Sequence, residues 1–243
     1  MTTLLLSQVT ANHQQGKYEM RVTYLGHASF KIECGERIAF IDPWLSGPTS
    51  PLKAEDVEKA DIVMVTHDHG DHGYTEAIEI CKKTGAYFVA INELALQAQS
   101  AGVENVHTLN IGGSVDIGDI RVTLVHAFHS CGIGAPTGFI VNLPCGIVYH
   151  TGDTGVFLDM ELLGKMHGIE LLFIPIGSYY TCGLEEAAWA TKLVRPKTVI
   201  PMHYNTFPAI EQDPKEFEVL VSKMASDVKV EVMNPGDSRE LKF

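Results

Sequence analysis

The segment Thr66-His67-Asp68-His69-Gly70-Asp71-His72-Gly73 places three histidines and two aspartates within six positions. Imidazole and carboxylate are the donors that zinc, manganese and iron accept. In an extended backbone residues i and i+2 point the same way, so His67 and His69 face one point. Gly70 permits a tight turn. Asp71 and His72 then fall at the start of the next helix, displaced from the first pair. One segment thereby feeds two adjacent cation sites, and the amides of the helix start add a preference for anions.

The elements around this cluster are arranged to present it. Ile62-Val63-Met64-Val65-Thr66 is a continuous β-branched and apolar run, which reads as a buried strand ending at the cluster. Residues 74–83 read as the helix that follows. Short β-rich runs at 21–26, 29–34 and 37–42 open the chain as a meander. Further strands are expected at 87–90, 105–109, 120–125, 138–143, 147–149, 171–176 and 198–202, with 228–233 closing the sheet. Helices are expected at 93–100, 158–166, 184–194 and 214–225, the last with Pro214 in its first turn. Strands linked by both hairpins and helices predict a layered α/β protein with the helices outside.

HxHxDH at a strand end resembles the signature of the metallo-β-lactamase fold superfamily. Four further landmarks of that superfamily have counterparts in the right order. They are Asp42 in Phe40-Ile41-Asp42-Pro43-Trp44, His129 in Ala127-Phe128-His129-Ser130-Cys131, Asp153 in Tyr149-His150-Thr151-Gly152-Asp153-Thr154, and His203 in Pro201-Met202-His203-Tyr204-Asn205. Tyr24-Leu25-Gly26-His27, Thr151-Gly152-Asp153-Thr154-Gly155, Pro175-Ile176-Gly177 and Met202-His203-Tyr204-Asn205-Thr206-Phe207-Pro208 narrow the likeness. They are similar to small metal-dependent hydrolases related to the ascorbate-6-phosphate lactonases. Two departures touch the substrate side. The loop after His129 is short, and Cys131 stands where Ser is frequent.

The resemblance implies a four-layer αβ/βα sandwich, with an N-terminal arm at 1–19 and a single hydrolase domain over 20–243. It implies that His67, His69 and His129 hold one divalent metal, that Asp71, His72 and His203 hold a second, and that Asp153 bridges them. Zinc leads, with manganese, iron or nickel as alternatives. Asp42 is expected to orient a ligating imidazole. Asp71 and His27 are the catalytic candidates, Asp71 orienting the nucleophile and His27 protonating the leaving group. His126 competes with His129 for a ligand role and reads better as packed. His150 is a weaker contact candidate, and the loop Ser178-Tyr179-Tyr180-Thr181-Cys182 is a candidate for the mouth of the site.

The implied reaction is hydrolysis of an ester, lactone or phosphoester by hydroxide generated at a dinuclear centre. Two divalent cations against Asp71, Asp153 and hydroxide leave about one positive charge, which points to a small anionic substrate. A phosphodiesterase or nuclease acting on short nucleic acid is the enzymatic alternative, and a non-catalytic metal-binding regulator the other.

Composition narrows these classes. The chain has 243 residues with 45% hydrophobic and 20% charged, and 18 Lys+Arg against 30 Asp+Glu give a net charge of −12. Long-range repulsion of phosphates makes nucleic acid a poor partner. No apolar run reaches the ~20 residues of a membrane span. His69 stands where oxygen-reducing di-iron members carry Glu, and the stretch after His203 is too short for the helical domain of glyoxalase-like thioesterases. Met1–Met20 lacks the basic start of a secretory leader. The five cysteines are odd in number and lack CxxC spacing, which predicts free thiols and a cytoplasmic protein. The branch also implies a homo-oligomer acting on a small molecule.

Overall fold

The computed structural model describes residues 18–243. Of the expected N-terminal arm only Tyr18 and Glu19 fall within it, and the remainder lies outside the described residues. The strands in chain order are β1 (Met20–Gly26), β2 (Ser29–Cys34), β3 (Arg37–Ile41), β4 (Ile62–Met64), β5 (Tyr87–Ile91), β6 (Val106–Leu109), β7 (Ser114–Ile117), β8 (Ile120–His126), β9 (Thr137–Leu143), β10 (Gly146–His150), β11 (Leu171–Pro175), β12 (Thr198–Met202), β13 (Lys229–Val230) and β14 (Ser238–Leu241). The helices are α1 (Tyr74–Thr84), α2 (Asn92–Ser100), α3 (Asp159–His167), α4 (Leu184–Val194) and α5 (Pro214–Met224).

Among the described residues two seven-stranded sheets form, in the orders β14-β1-β2-β3-β4-β5-β6 and β13-β12-β11-β10-β9-β8-β7. Alternation along the strands shows how they layer. In β11, Leu171 and Phe173 join the core shared by both sheets, while Leu172 and Ile174 join the core beneath α3, α4 and α5. The shared core is sealed by Phe30 of β2 stacked on Phe173 at 3.9 Å. Ala77 and Ile80 of α1, with Leu94, Ala95 and Ala98 of α2, cover the outer face of the first sheet. The result is the expected four-layer αβ/βα sandwich. A strand buried on both faces reads as an unbroken apolar run, which is why β4, β11 and β12 were visible in the sequence.

The strand directions place the site. β3, β4, β5 and β6 are mutually parallel, and β1 runs with them because β2 is antiparallel to both its neighbours. In the second sheet β10, β11, β12 and β13 are parallel, and β8 shares their direction across the antiparallel β9. The carboxyl ends of these strands gather at one edge, where α/β proteins place their ligands.

Three expectations change. Cys34 and Cys145 form a disulfide with Cα atoms 5.8 Å apart. Sheet packing brings the end of β2 to the turn after β9 across 111 residues, a proximity that spacing along the chain does not reveal. Cys81, Cys131 and Cys182 are free. The closing strand at 228–233 contracts to Lys229–Val230, and the polar edge strand β14 pairs with β1, having no apolar period to announce it. Among the described residues no helix is long and apolar enough to cross a membrane.

Candidate metal centre

The site candidates cluster just beyond the carboxyl ends of strands. His27 follows β1, Asp42 follows β3, His67 lies three residues past β4, His129 follows β8, Asp153 follows β10 and His203 follows β12. Leaving a strand this sharply takes unusual backbone. His27, Asp42 and His203 have φ of 55°, 46° and 54°, in the left-handed region that L residues seldom occupy. Such conformations persist where surrounding structure over-determines them. Gly73, with φ 67°, ends the short turn Gly70–His72, and a Cβ there would strike the Pro43 carbonyl.

Asp42 organises the first half of the centre. Its Oδ1 accepts from the Thr66 amide at 2.7 Å, and its Oδ2 accepts from the Thr66 hydroxyl at 2.7 Å and from His72 Nδ1 at 2.8 Å. His72 therefore carries its proton on Nδ1 when neutral, and its Nε2 is a lone pair. The same logic runs one residue further. Thr66 Oγ1 spends its proton on Asp42, so it accepts from His67 Nδ1 at 3.0 Å and leaves His67 Nε2 as a lone pair. One buried carboxylate and one hydroxyl fix two imidazole tautomers, as outer groups around a metal do.

The lone pairs converge. His67 Nε2 lies 2.9 Å from His69 Nδ1, and His129 Nε2 lies 3.4 Å from that same atom. Asp153 Oδ2 sits 3.1 Å from His203 Nε2, 3.3 Å from His72 Nε2, 3.5 Å from His129 Nε2 and 4.0 Å from His67 Nε2. Two groups result, each with ligand atoms within 4.8 Å of one another: His67, His69, His129 and Asp153, and His27, Asp71, His72 and His203. Asp153 reaches atoms of both.

This donor set fits cations. Asp153 is 3% exposed, yet its Oδ1 has no hydrogen-bond partner, and neither does His72 Nε2. A buried carboxylate surrounded by imidazole lone pairs is electrostatically incomplete unless positive charge enters. The titration behaviour reports the same deficit. Burial drives His72 downward, but Asp153 and Asp42 together carry it well above the ordinary imidazole range. Burial drives Asp153 upward, and His203 and His72 nevertheless hold it well below the carboxylate range. In a protein without metal, a proton on His72 takes the place a cation would fill. Burial, reinforced by His72, pushes His67 down to about 2, so at neutral pH the ring is uncharged and its Nε2 lone pair is free to bind a cation.

Asp71 and His27 form a second pair. His27 Nε2 lies 3.1 Å from Asp71 Oδ2, and His27 Nδ1 lies 2.9 Å from Thr206 Oγ1. Burial raises Asp71, but His27 and then His72 hold it well below the usual carboxylate range. An ionised Asp71 only accepts, so His27 donates from Nε2 and receives the Thr206 hydroxyl at Nδ1. Burial lowers His27 to about 4 despite Asp71, so the ring is neutral at pH 7.

The remaining candidates separate cleanly. His126 lies off the cluster, over the Phe157 ring at 4.4 Å and 3.8 Å from the Asp159 carboxylate. His150 is buried and satisfied, donating Nε2–H to Ala28 O at 2.9 Å and accepting from the Gly152 amide at 3.1 Å. A cavity of about 470 Å³ opens over the cluster, lined by His69, Asp71, His129, Ser130, Asp153, Tyr180, His203, Phe207 and Ala209. Tyr180 brings the 178–182 loop to the mouth. Sequence reasoning quoted Thr66, Asp68, Thr206 and Phe207 within its motifs but gave none of them a role. Asp68 accepts from the Gly132 amide at 2.8 Å and so ties the loop after His129 to the histidine segment. The one signal for it was its place between His67 and His69.

Comparison with known proteins gives a consistent picture. A family model described as a beta-lactamase superfamily domain matches residues 21–203. A metal-dependent hydrolase of Methanopyrus kandleri is 46% identical over 230 residues, covering 91% of this chain and 100% of the relative. One from Archaeoglobus fulgidus is 45% identical over 232 residues, covering 91% of this chain and 99% of the relative. Among solved structures, Igni18, a metallo hydrolase from the hyperthermophilic archaeon Ignicoccus hospitalis, superposes with a TM-score of 0.86 at 39% identity, over 93% of this chain and 99% of that one. An isothiocyanate hydrolase from Delia radicum gut bacteria shares the fold, with a TM-score of 0.73 at 16% identity over 92% of this chain and 99% of that one.

Proposed function

Because the chain belongs to the beta-lactamase superfamily and, within it, to the metal-dependent hydrolases, we propose that its two ligand groups hold a pair of divalent cations. The protein then cleaves an ester, lactone or phosphoester bond in a small molecule. The observation that carries this reading is the buried Asp153 carboxylate, with one oxygen unpartnered and the other facing four imidazole nitrogens. His67, His69 and His129 would hold one cation, Asp71, His72 and His203 the other, with Asp153 between them. The donors are nitrogen and oxygen only, which suits zinc, with manganese, iron and nickel as alternatives. When bound, such cations lower the pKa of water to roughly 7 and polarise the oxygen of the scissile group.

The chain's own residues do the rest. Asp71 is partly exposed to the cavity and, being ionised, accepts a proton-bearing ligand and orients it toward the scissile bond. His27 is 1% exposed and is not among the residues lining the cavity. It acts through Asp71, whose Oδ2 it fixes, and Thr206 holds its ring in the donating tautomer. Asp42 and Thr66 keep His67 and His72 aimed inward. Among the described residues no Lys or Arg lines the cavity, so a negative charge on the substrate would be met there by the bound cations.

The expectation of a homo-oligomer finds support in α3. Leu158 just before the helix, Leu162 and Met166 are spaced by four and strongly exposed. Antiparallel pairing of two such helices would bring the acidic start of one, Asp159 and Glu161, toward the basic end of the other, Lys165 and His167.

The test is loading of the full chain with defined metals, followed by assay on lactones, esters and phosphodiesters. Asp71→Ala and His69→Ala are each expected to lose turnover and the cation of their own ligand group. Full activity in either variant would overturn the proposal.

A further inference from the structure

Outside the metal-holding groups, the cavity is lined by Ser130, Tyr180, Phe207 and Ala209. Two aromatic rings, one of them a phenol, with one methyl and the Ser130 hydroxyl, form the surface that the non-reacting part of a substrate meets. Neither ring is there by collapse. Phe207 contacts His27 edge-on at 5.6 Å and Trp44 at 6.0 Å, yet remains 38% exposed. Tyr180 is 57% exposed and packs edge-on against Tyr179 at 4.7 Å.

The loop that carries Tyr180 is fixed in an unfavourable backbone. Ser178 and Tyr179 are consecutive left-handed residues with φ of 59° and 41°, and neither is glycine. Backbone bonds hold them there: Ser178 N to Cys182 O at 2.9 Å, Thr181 N to Ser178 O at 2.9 Å, and Cys182 N to Thr154 O at 2.8 Å. Buried Cys182 anchors the far side of the turn. A strained turn that keeps an aromatic ring in solvent persists when the ring has work at the site. Exposed aromatic surface over a preformed cavity gains by covering itself with apolar ligand. A charged tail gains nothing, because burying it there would leave it unpaired.

We infer that the site has an aromatic-binding subsite formed by Tyr180 and Phe207, and that it takes substrates whose group flanking the scissile bond is uncharged and aromatic or bulky apolar. Ser130 and the phenol of Tyr180 supply the hydroxyls outside the metal-holding groups. The scissile bond in this statement rests on the hydrolase reading; the subsite does not. It departs from the sequence-based expectation of an anionic substrate, since among the described residues the cavity offers no Lys or Arg for a second charge.

The test uses two probes that cannot be hydrolysed, 2-phenylethanol and 4-hydroxybutyrate, with binding to the full chain followed by ligand-observed NMR in the presence of a chelator. The expected result is at least tenfold tighter binding of 2-phenylethanol. Phe207→Ala combined with Tyr180→Ala is expected to weaken it at least tenfold. Trp189→Ala, on α4 and outside the cavity, should leave it unchanged. With metal restored, the phenylacetyl ester of a chosen alcohol should exceed its succinyl ester at least tenfold in kcat/KM, and the double variant should erase that preference. Equal or tighter binding of 4-hydroxybutyrate to the unmodified protein would overturn the inference, whether or not the variants fold. So would unchanged 2-phenylethanol affinity in the folded double variant. Selective binding without turnover by any metal-loaded form would sink the hydrolase reading and leave the subsite standing. Turnover that favours the succinyl ester would do the reverse.

Discussion

The first sheet delivers His67, His69, Asp71 and His72 from one stretch after β4, whereas the second delivers His129, Asp153 and His203 from the ends of β8, β10 and β12. The first arrangement is local: extended backbone and one short turn aim four side chains. The second is purely topological, because strands far apart in sequence share a direction and stop at the same edge. The residue with the widest reach, Asp153, comes from the topological half. A metal centre split this way depends on sheet packing, since neither half closes a cation site alone. Loss of any single residue of the local stretch should therefore damage one ligand group, and loss of Asp153 should damage both.

The largest expected effect follows from that asymmetry. Asp153→Asn should lower kcat/KM by at least ~1000-fold, roughly 4 kcal/mol of transition-state stabilisation, and should deplete both cations. His69→Ala should deplete mainly one. Elemental analysis beside the assay separates the two, and equal depletion would erase the distinction between the halves. The seam between the sheets comes next. Replacing Cys34 and Cys145 by Ala should cost about 2–4 kcal/mol in chemical denaturation, given the long loop they close. Metal content should stay intact, since the bridge lies away from the ligands. Thr66→Val should cost about 1–3 kcal/mol by leaving Asp42 short of a donor, and should weaken metal binding about 10–100-fold.

A pH effect separates buried imidazoles from the proton-accepting centre in metal-free protein. Burial lowers His27 to about 4 and also lowers His150. An unfolded histidine titrates near 6.5. Below that pH the unfolded chain binds more protons than the folded one, so stability falls as pH drops from about 6.5 toward 4. His72, raised, keeps its contribution throughout that window and loses it only on the alkaline side. Thermal melts of chelated protein at pH 6.5, 5.5 and 4.5 should decline in that order, and a flat series would remove burial as the cause. The smallest expected effect on folding is at α3. Leu162→Glu should change stability by no more than about 0.5 kcal/mol while reducing the sedimentation mass of any oligomer.

The same contrast explains what the sequence disclosed. His67 to His72 was legible because its spacing is its mechanism. His129, Asp153 and His203 were legible only through a resemblance, since nothing local marks them as neighbours. His126 shows the difficulty: it ends an apolar strand three residues before His129, yet it packs on Phe157. Buried parallel strands announced themselves as apolar runs, and the layered fold followed. The polar edge strand β14 and the two-residue β13 carried no such pattern. Thr66 and Thr206 escaped because a threonine's value here lies in which tautomer it fixes, and that needs coordinates. The Cys34–Cys145 bridge escaped because only the packing of one sheet on the other brings its sulfurs together.

The central claim is that Asp153 sits between two bound cations. Elemental analysis of the dialysed full chain after loading with zinc or manganese tests it most directly. The expected result is two cations per chain in the unmodified protein and near none in Asp153→Asn. A single cation in the unmodified protein, or two retained by the variant, would contradict the account.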